Sequence, residues 1–139
     1  MPEYPAFVSV DEEARLLGFV HQAAGFKDHW NTTWPVMSLP RSQWEVYNRN
    51  FEGDDVLKAI CVANFESKHD GRAVGDNGAA WGLYQLNNKC TDFEACIDYD
   101  FQMNWLKENT LDNIQSHNSG FQGYEKRVKK CVDYLKTYK

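Results

Sequence analysis

The chain predicts an α+β fold, mostly helical, with one small β-hairpin set between helices. Two observations carry this. Apolar residues recur at helical spacing in separate segments, most cleanly Val56, Ala59, Ile60 and Ala63, the i, i+3, i+4, i+7 stripe of a helix with one buried face. Between two such segments lies a Gly- and Asn-rich stretch, residues 69–82, containing Asp76-Asn77-Gly78. That triplet is a strong hairpin signal because Asn and Gly tolerate positive φ. At 139 residues and 42% apolar content the chain is read as one domain spanning 1–139, long enough to bury a core.

The elements follow in order. Ser9-Val10-Asp11-Glu12 reads as a capping box, which satisfies orphan amides at a helix start. Leu16, Val20 and Ala23 continue on one face, and Gly25 ends that helix. Residues 27–40 hold Trp30, Trp34, Pro35 and Pro40 and read as an ordered loop, since two Trp favour burial. Residues 42–50 form a short helix with Trp44 and Tyr47. Gly53-Asp54-Asp55 opens the central helix with Asp as cap, and Glu66 falls at its C-terminal end. Residues 83–87 alternate as a short strand. Tyr99, Met103 and Leu106, with Trp105, mark another helix. Residues 109–115 are a short helical piece, residues 116–120 a break, and residues 124–138 the last helix, with Val128, Cys131, Val132 and Leu135 on one face.

Net charge is −5, which leaves no nucleic-acid footprint. The basic residues after Phe121, including Lys126, Arg127, Lys129 and Lys130, read as the solvated face of the last helix. The run Asp92, Glu94, Asp98, Asp100 lacks the Gly and closing Glu of a calcium loop and reads as solvated acids. The four His are scattered and no Cys-x-x-Cys occurs, so no metal site is expected. No apolar run approaches the roughly 20 residues of a membrane span, and the start, Met-Pro-Glu-Tyr-Pro, lacks the pattern of a secretory signal. Cys90 and Cys96 are close enough to clip a loop, and Cys61 and Cys131 sit on apolar helical faces. Those two disulfides fit the spacing, and four reduced, buried thiols fit it too.

Glu66 is the candidate general acid. A glutamate at a helix C-terminus meets the negative end of the dipole. One packed against Phe65, Trp81 or Tyr84 also loses hydration of its charged form. Both effects favour the protonated acid that cleavage of a glycosidic bond needs. Ser67 is placed to orient Glu66 or fix the helix end. The Gln85 amide can bind an N-acetyl group or a sugar hydroxyl. Trp81 and Tyr84 offer aromatic faces for sugar, or for the core. Asp76 and Asp70 are the nearest candidates for a second carboxylate, and Asp76 is also a candidate substrate contact.

Several segments in order, Glu66-Ser67, Ala73-Val74, the Gly-containing turn at 75–78, Gly82-Leu83-Tyr84-Gln85 and Ser116-His117-Asn118-Ser119-Gly120, resemble the lysozyme superfamily. The likeness is greatest to lytic transglycosylases and phage muramidases. The resemblance implies a lysozyme-like fold with a catalytic core at 54–139, behind an N-terminal helical extension at 1–50, and no cofactor. It implies Glu66 as the single catalytic residue, with Ser67, Asp76, Tyr84, Gln85, His117 and Asn118 as substrate contacts. His117 stands where the family has Tyr. Ala80 stands where animal-type lysozymes carry a second carboxylate, which fits a one-glutamate mechanism. The implied partner is the glycan strand of bacterial peptidoglycan, cut at the β-1,4 bond by a transglycosylase or by a hydrolase. Other virion proteins are further partners. The implied place of action is the extracytoplasmic cell wall, reached from a virion, through a holin or after processing. The rival expectation is a non-catalytic glycan-binding or virion structural module.

Overall fold

A computed structural model describes residues 4–5, 8–9, 39–87 and 89–137. The capping box from Val10 onward, the helix to Gly25 and the Trp30–Trp34 loop lie outside the described residues. Around them, Val8–Ser9 (β1) pairs in parallel with Leu39–Pro40 (β2), a pairing the sequence did not signal.

The centre is helix α2, Asp54–Ser67, which follows helix α1, Arg41–Asn50. The sequence predicts one buried face for α2. From Ala59 to Phe65 every residue is in fact buried, so the helix is covered on all sides there, as an apolar-all-round segment should be. Its cap also differs from expectation. Gly53, at φ 57, is the N-cap and no side chain caps it. Asp54 and Asp55 lie in the first turn, where they face the positive end of the dipole.

Helix α5, Tyr124–Lys136, buries Tyr124, Val128, Cys131 and Leu135 against α2. Three links fix an antiparallel register. Lys136 Nζ lies 2.8 Å from Asp54 Oδ2, Cys61 is bonded to Cys131, and the Tyr124 hydroxyl reaches Glu66. As one number rises along α2, its partner falls along α5. The second disulfide joins Cys90 and Cys96, so the described cysteines are paired rather than reduced. Such bonds persist in an oxidising, extracytoplasmic setting. Among the described residues no helix is long and apolar enough to cross a membrane.

After α2 the chain forms a three-stranded antiparallel sheet: Val74–Gly75 (β3), Ala80–Trp81 (β4) and Leu86–Asn87 (β5). The turn expected at Asp76-Asn77-Gly78 joins β3 to β4, with all three residues at positive φ. The strand expected over 83–87 is shorter, because residues 82–85 turn instead. Helices α3, Phe93–Cys96, and α4, Tyr99–Asn109, follow. The acidic run there is used locally. Asp92 and Asp98 cap these helices, Glu94 pairs with Arg72 and Asp100 with Arg49. A 3-10 segment, Leu111–Asn118, continues through part of the expected break.

Gln102 of α4 ties this half together. It is fully buried. Its Oε1 accepts from the Tyr84 amide at 3.0 Å, and its Nε2 donates to the carbonyls of Cys96, at 2.6 Å, and Trp81, at 3.2 Å. A buried polar side chain satisfied in this way fixes one arrangement. Gly82 must be glycine for the same reason. It sits at φ 85, and a Cβ there would come within 2.5 Å of Gln102 Nε2.

Candidate active site

Glu66 is the penultimate residue of α2. The helix ends on two consecutive left-handed residues, Lys68 at φ 55 and His69 at φ 65, neither of them glycine. Left-handed geometry costs a side-chain-bearing residue about 1–2 kcal/mol, and such outliers cluster at functional sites. Here tertiary bonds hold the turn. Gln43 of α1 donates to the His69 carbonyl, and Tyr47 OH lies 3.1 Å from His69 Nδ1. Burial drives the His69 pKa down to about 3, so it is a neutral structural residue.

The turn forms one side of an open groove of about 1180 Å³. Its lining is Phe65, Glu66, residues 67–75, Gln85, Glu94, Ile97, Asp98 and Tyr99. Arg72 and Glu94 meet at 2.9 Å across one edge.

Burial is the largest influence on the Glu66 carboxyl and pushes its pKa up to about 7. Two donors act the other way. Tyr124 OH donates to Oε2 at 2.7 Å and Asn118 Nδ2 at 3.4 Å, and each favours the carboxylate. The group is therefore poised to lose and regain a proton near neutrality, the property required of a residue that serves as acid and then as base. Tyr124 stays a donor, since burial and the neighbouring Glu66 raise its own pKa. Tyr124→Phe removes the stronger of the two bonds, so the Glu66 titration midpoint is expected to rise above about 7. Carboxyl-carbon NMR across pH 4–10 measures it, and an unchanged midpoint would show that the phenol has no hold on the proton.

The other residues singled out from sequence divide. Asn118 donates to the acid and is not among the residues lining the groove. Gln85 lines the groove, but its Nε2 is spent on the carbonyls of Ala73 and Gly82. Its Oε1 is turned toward Gly75, where a Cβ would come within 2.4 Å. Ser67 lies on the groove wall but does not orient Glu66. Its buried hydroxyl is 2.7 Å from the Leu83 carbonyl and 3.1 Å from that of Ala63, so it staples the helix end to the turn. Tyr84 is corrected from sugar contact to core. Its ring is fully buried and its hydroxyl donates to Ala59 O at 3.2 Å. Trp81 packs edge-on against Phe93 and donates to Gly78 O, away from the groove lining. Asp76 is exposed on the hairpin, bonded to Asn87, and also outside the lining. Asp70 lines the groove and accepts from the Arg72 amide at 2.9 Å. His117 is held by protein on both nitrogens and is not among the lining residues.

Tyr124 is not among the site residues the sequence suggests. A signal for it lies in the register: Glu66 is five residues beyond Cys61, and Tyr124 is seven before Cys131. Two antiparallel helices joined by that disulfide bring the two positions level. Comparison of the chain with protein-family models, with curated proteins and with solved structures finds no match.

Proposed function

We propose that the protein is a peptidoglycan-cleaving glycosidase with a lysozyme-like core, acting as a lytic transglycosylase on the β-1,4 bond between N-acetylmuramic acid and N-acetylglucosamine. The observation that carries this reading is one carboxyl, buried enough to hold a proton near pH 7, in the lining of a groove open to solvent. Glu66 gives its proton to the bridging oxygen as the bond to the anomeric carbon breaks. Tyr124 and Asn118 then hold the carboxylate. The substrate's own 6-hydroxyl attacks the anomeric carbon, and its proton returns to Glu66. The cycle consumes no water and restores the acid. Ala80, buried in β4, supplies no second carboxylate, and a one-glutamate cycle needs none.

The test is to incubate purified peptidoglycan with the protein and weigh the released fragments. Fragments ending in an anhydro sugar, lighter by one water than a reducing end, are expected. Reducing ends alone would replace the 6-hydroxyl by water as nucleophile. No fragments at all would sink the enzymatic reading and favour a glycan-binding module, since fold does not guarantee activity.

A further inference from the structure

We infer that His117 is a positioning residue for Glu66, acting through Tyr124 and Asn118. The inference rests on Glu66 as the working acid, but its test does not depend on cleavage. The imidazole is fixed at both nitrogens. Nε2 lies 2.9 Å from the Tyr84 carbonyl and Nδ1 lies 3.0 Å from Thr110 Oγ1. A carbonyl only accepts, so Nε2 carries the hydrogen and Nδ1 accepts from the threonine. Tyr84 is itself fully buried in the core, with its amide on Gln102 and its hydroxyl on Ala59. The ring is thus bonded to a fully buried core residue.

From that mount it controls both of the hydrogen-bond donors to Glu66. Its face stacks on Tyr124, with ring planes 26° apart and centroids at 6.5 Å. Trp105 closes a further side, so the stack cannot slide freely. Asn118 is the next residue along the chain and the last of the 3-10 segment. Holding His117 therefore holds the point from which the Asn118 amide reaches Oε2. Tyr84 and Tyr124 are the titratable groups packed on His117. Lys68, Asp70, Arg72, Glu94 and Asp98 lie along the groove, and none of them hydrogen-bonds Glu66. Burial disfavours the imidazolium, so His117 works as a neutral spacer of fixed tautomer.

The experiment is the Glu66 titration midpoint by carboxyl-carbon NMR in the full 139-residue chain, for His117→Ala, His117→Gln and each in the Tyr124→Phe background. His117→Ala is expected to raise the midpoint by about one pH unit, because both donors loosen. His117→Gln keeps an amide donor for Tyr84 O and an acceptor for Thr110, and is expected to restore most of the wild-type value. In the Tyr124→Phe background the His117→Ala shift is expected to shrink, the non-additivity of two residues acting through one contact. Should His117→Ala not fold, Thr110→Val withdraws the bond to Nδ1 and is expected to shift the midpoint the same way. An unchanged midpoint in a folded His117→Ala or Thr110→Val protein overturns the inference. So does a shift of equal size with and without the Tyr124 hydroxyl. Failure of the wild type to release glycan fragments would count against the glycosidase and leave this measurement standing.

Discussion

Replacing Glu66 by Gln is expected to cut glycan cleavage at least about a hundred-fold while making the protein more stable above pH 7. The two effects share one cause. Gln keeps the carbonyl oxygen that Tyr124 and Asn118 address but has no proton to give. Loss of a general acid costs about a hundred- to ten-thousand-fold in rate. The stability gain follows from linkage. Glu66 titrates near 4.5 unfolded and near 7 folded, so the native state binds the proton more tightly. That preference supports the fold fully below pH 4.5 and is lost as pH rises to about 7. Above pH 7 the wild type carries a half-buried carboxylate that the unfolded chain would solvate freely. Gln removes that burden, worth up to about 3 kcal/mol. Thermal melts of both proteins at pH 4 and pH 8 measure it, with the difference expected only at pH 8. Equal differences at both values would mean that Glu66 is no more proton-loving folded than unfolded. Equal rates of peptidoglycan cleavage by the two proteins would remove it from the chemistry.

The second large effect is expected from Cys61 and Cys131. They are 70 residues apart in sequence, so their bond closes more than half of the described chain into a loop. By chain entropy a bond closing that span restricts the unfolded state by about 4 kcal/mol. Removing it by the double change to Ala also leaves space where two buried sulfurs met. The register of α2 against α5 then rests on side-chain packing and on the Asp54–Lys136 pair, which is exposed and weak. A loss of about 4 kcal/mol is expected in urea unfolding, together with a rise in the Glu66 midpoint as Tyr124 drifts from Oε2. The Cys90–Cys96 pair spans six residues, and its removal should cost less. Equal losses from the two pairs would contradict the loop-entropy account.

What the sequence made legible was local. The stripe through Val56, Ala59, Ile60 and Ala63 located the central helix and put Glu66 at its end. The Asn-Gly turn located the sheet. What stayed hidden depended on contacts distant in sequence. Tyr124 looked like the first apolar residue of a helix, and only the α2–α5 register shows that it faces the acid. Residues 83–85 alternated like a strand, yet the Gln85 side chain bonds back to Gly82 and Ala73. That competing local bond holds its backbone at φ 52. Asp92 and Asp98 looked like solvated charge because nothing in composition tells a cap from a surface acid. For Tyr84 the sequence leaves sugar and core both open and for His117 it suggests a ligand, yet the polar atoms of both face protein.

The three bonds at Gln102 have a mechanical outcome. One amide grips the Cys90–Cys96 loop at Cys96 and the turn at Trp81 and Tyr84, so those two segments are riveted to α4 at one point. Parting them breaks either the bond to Cys96 or the two to the turn. The spacing between loop and turn is therefore set by the fold itself, as by a fixed bracket rather than a hinge.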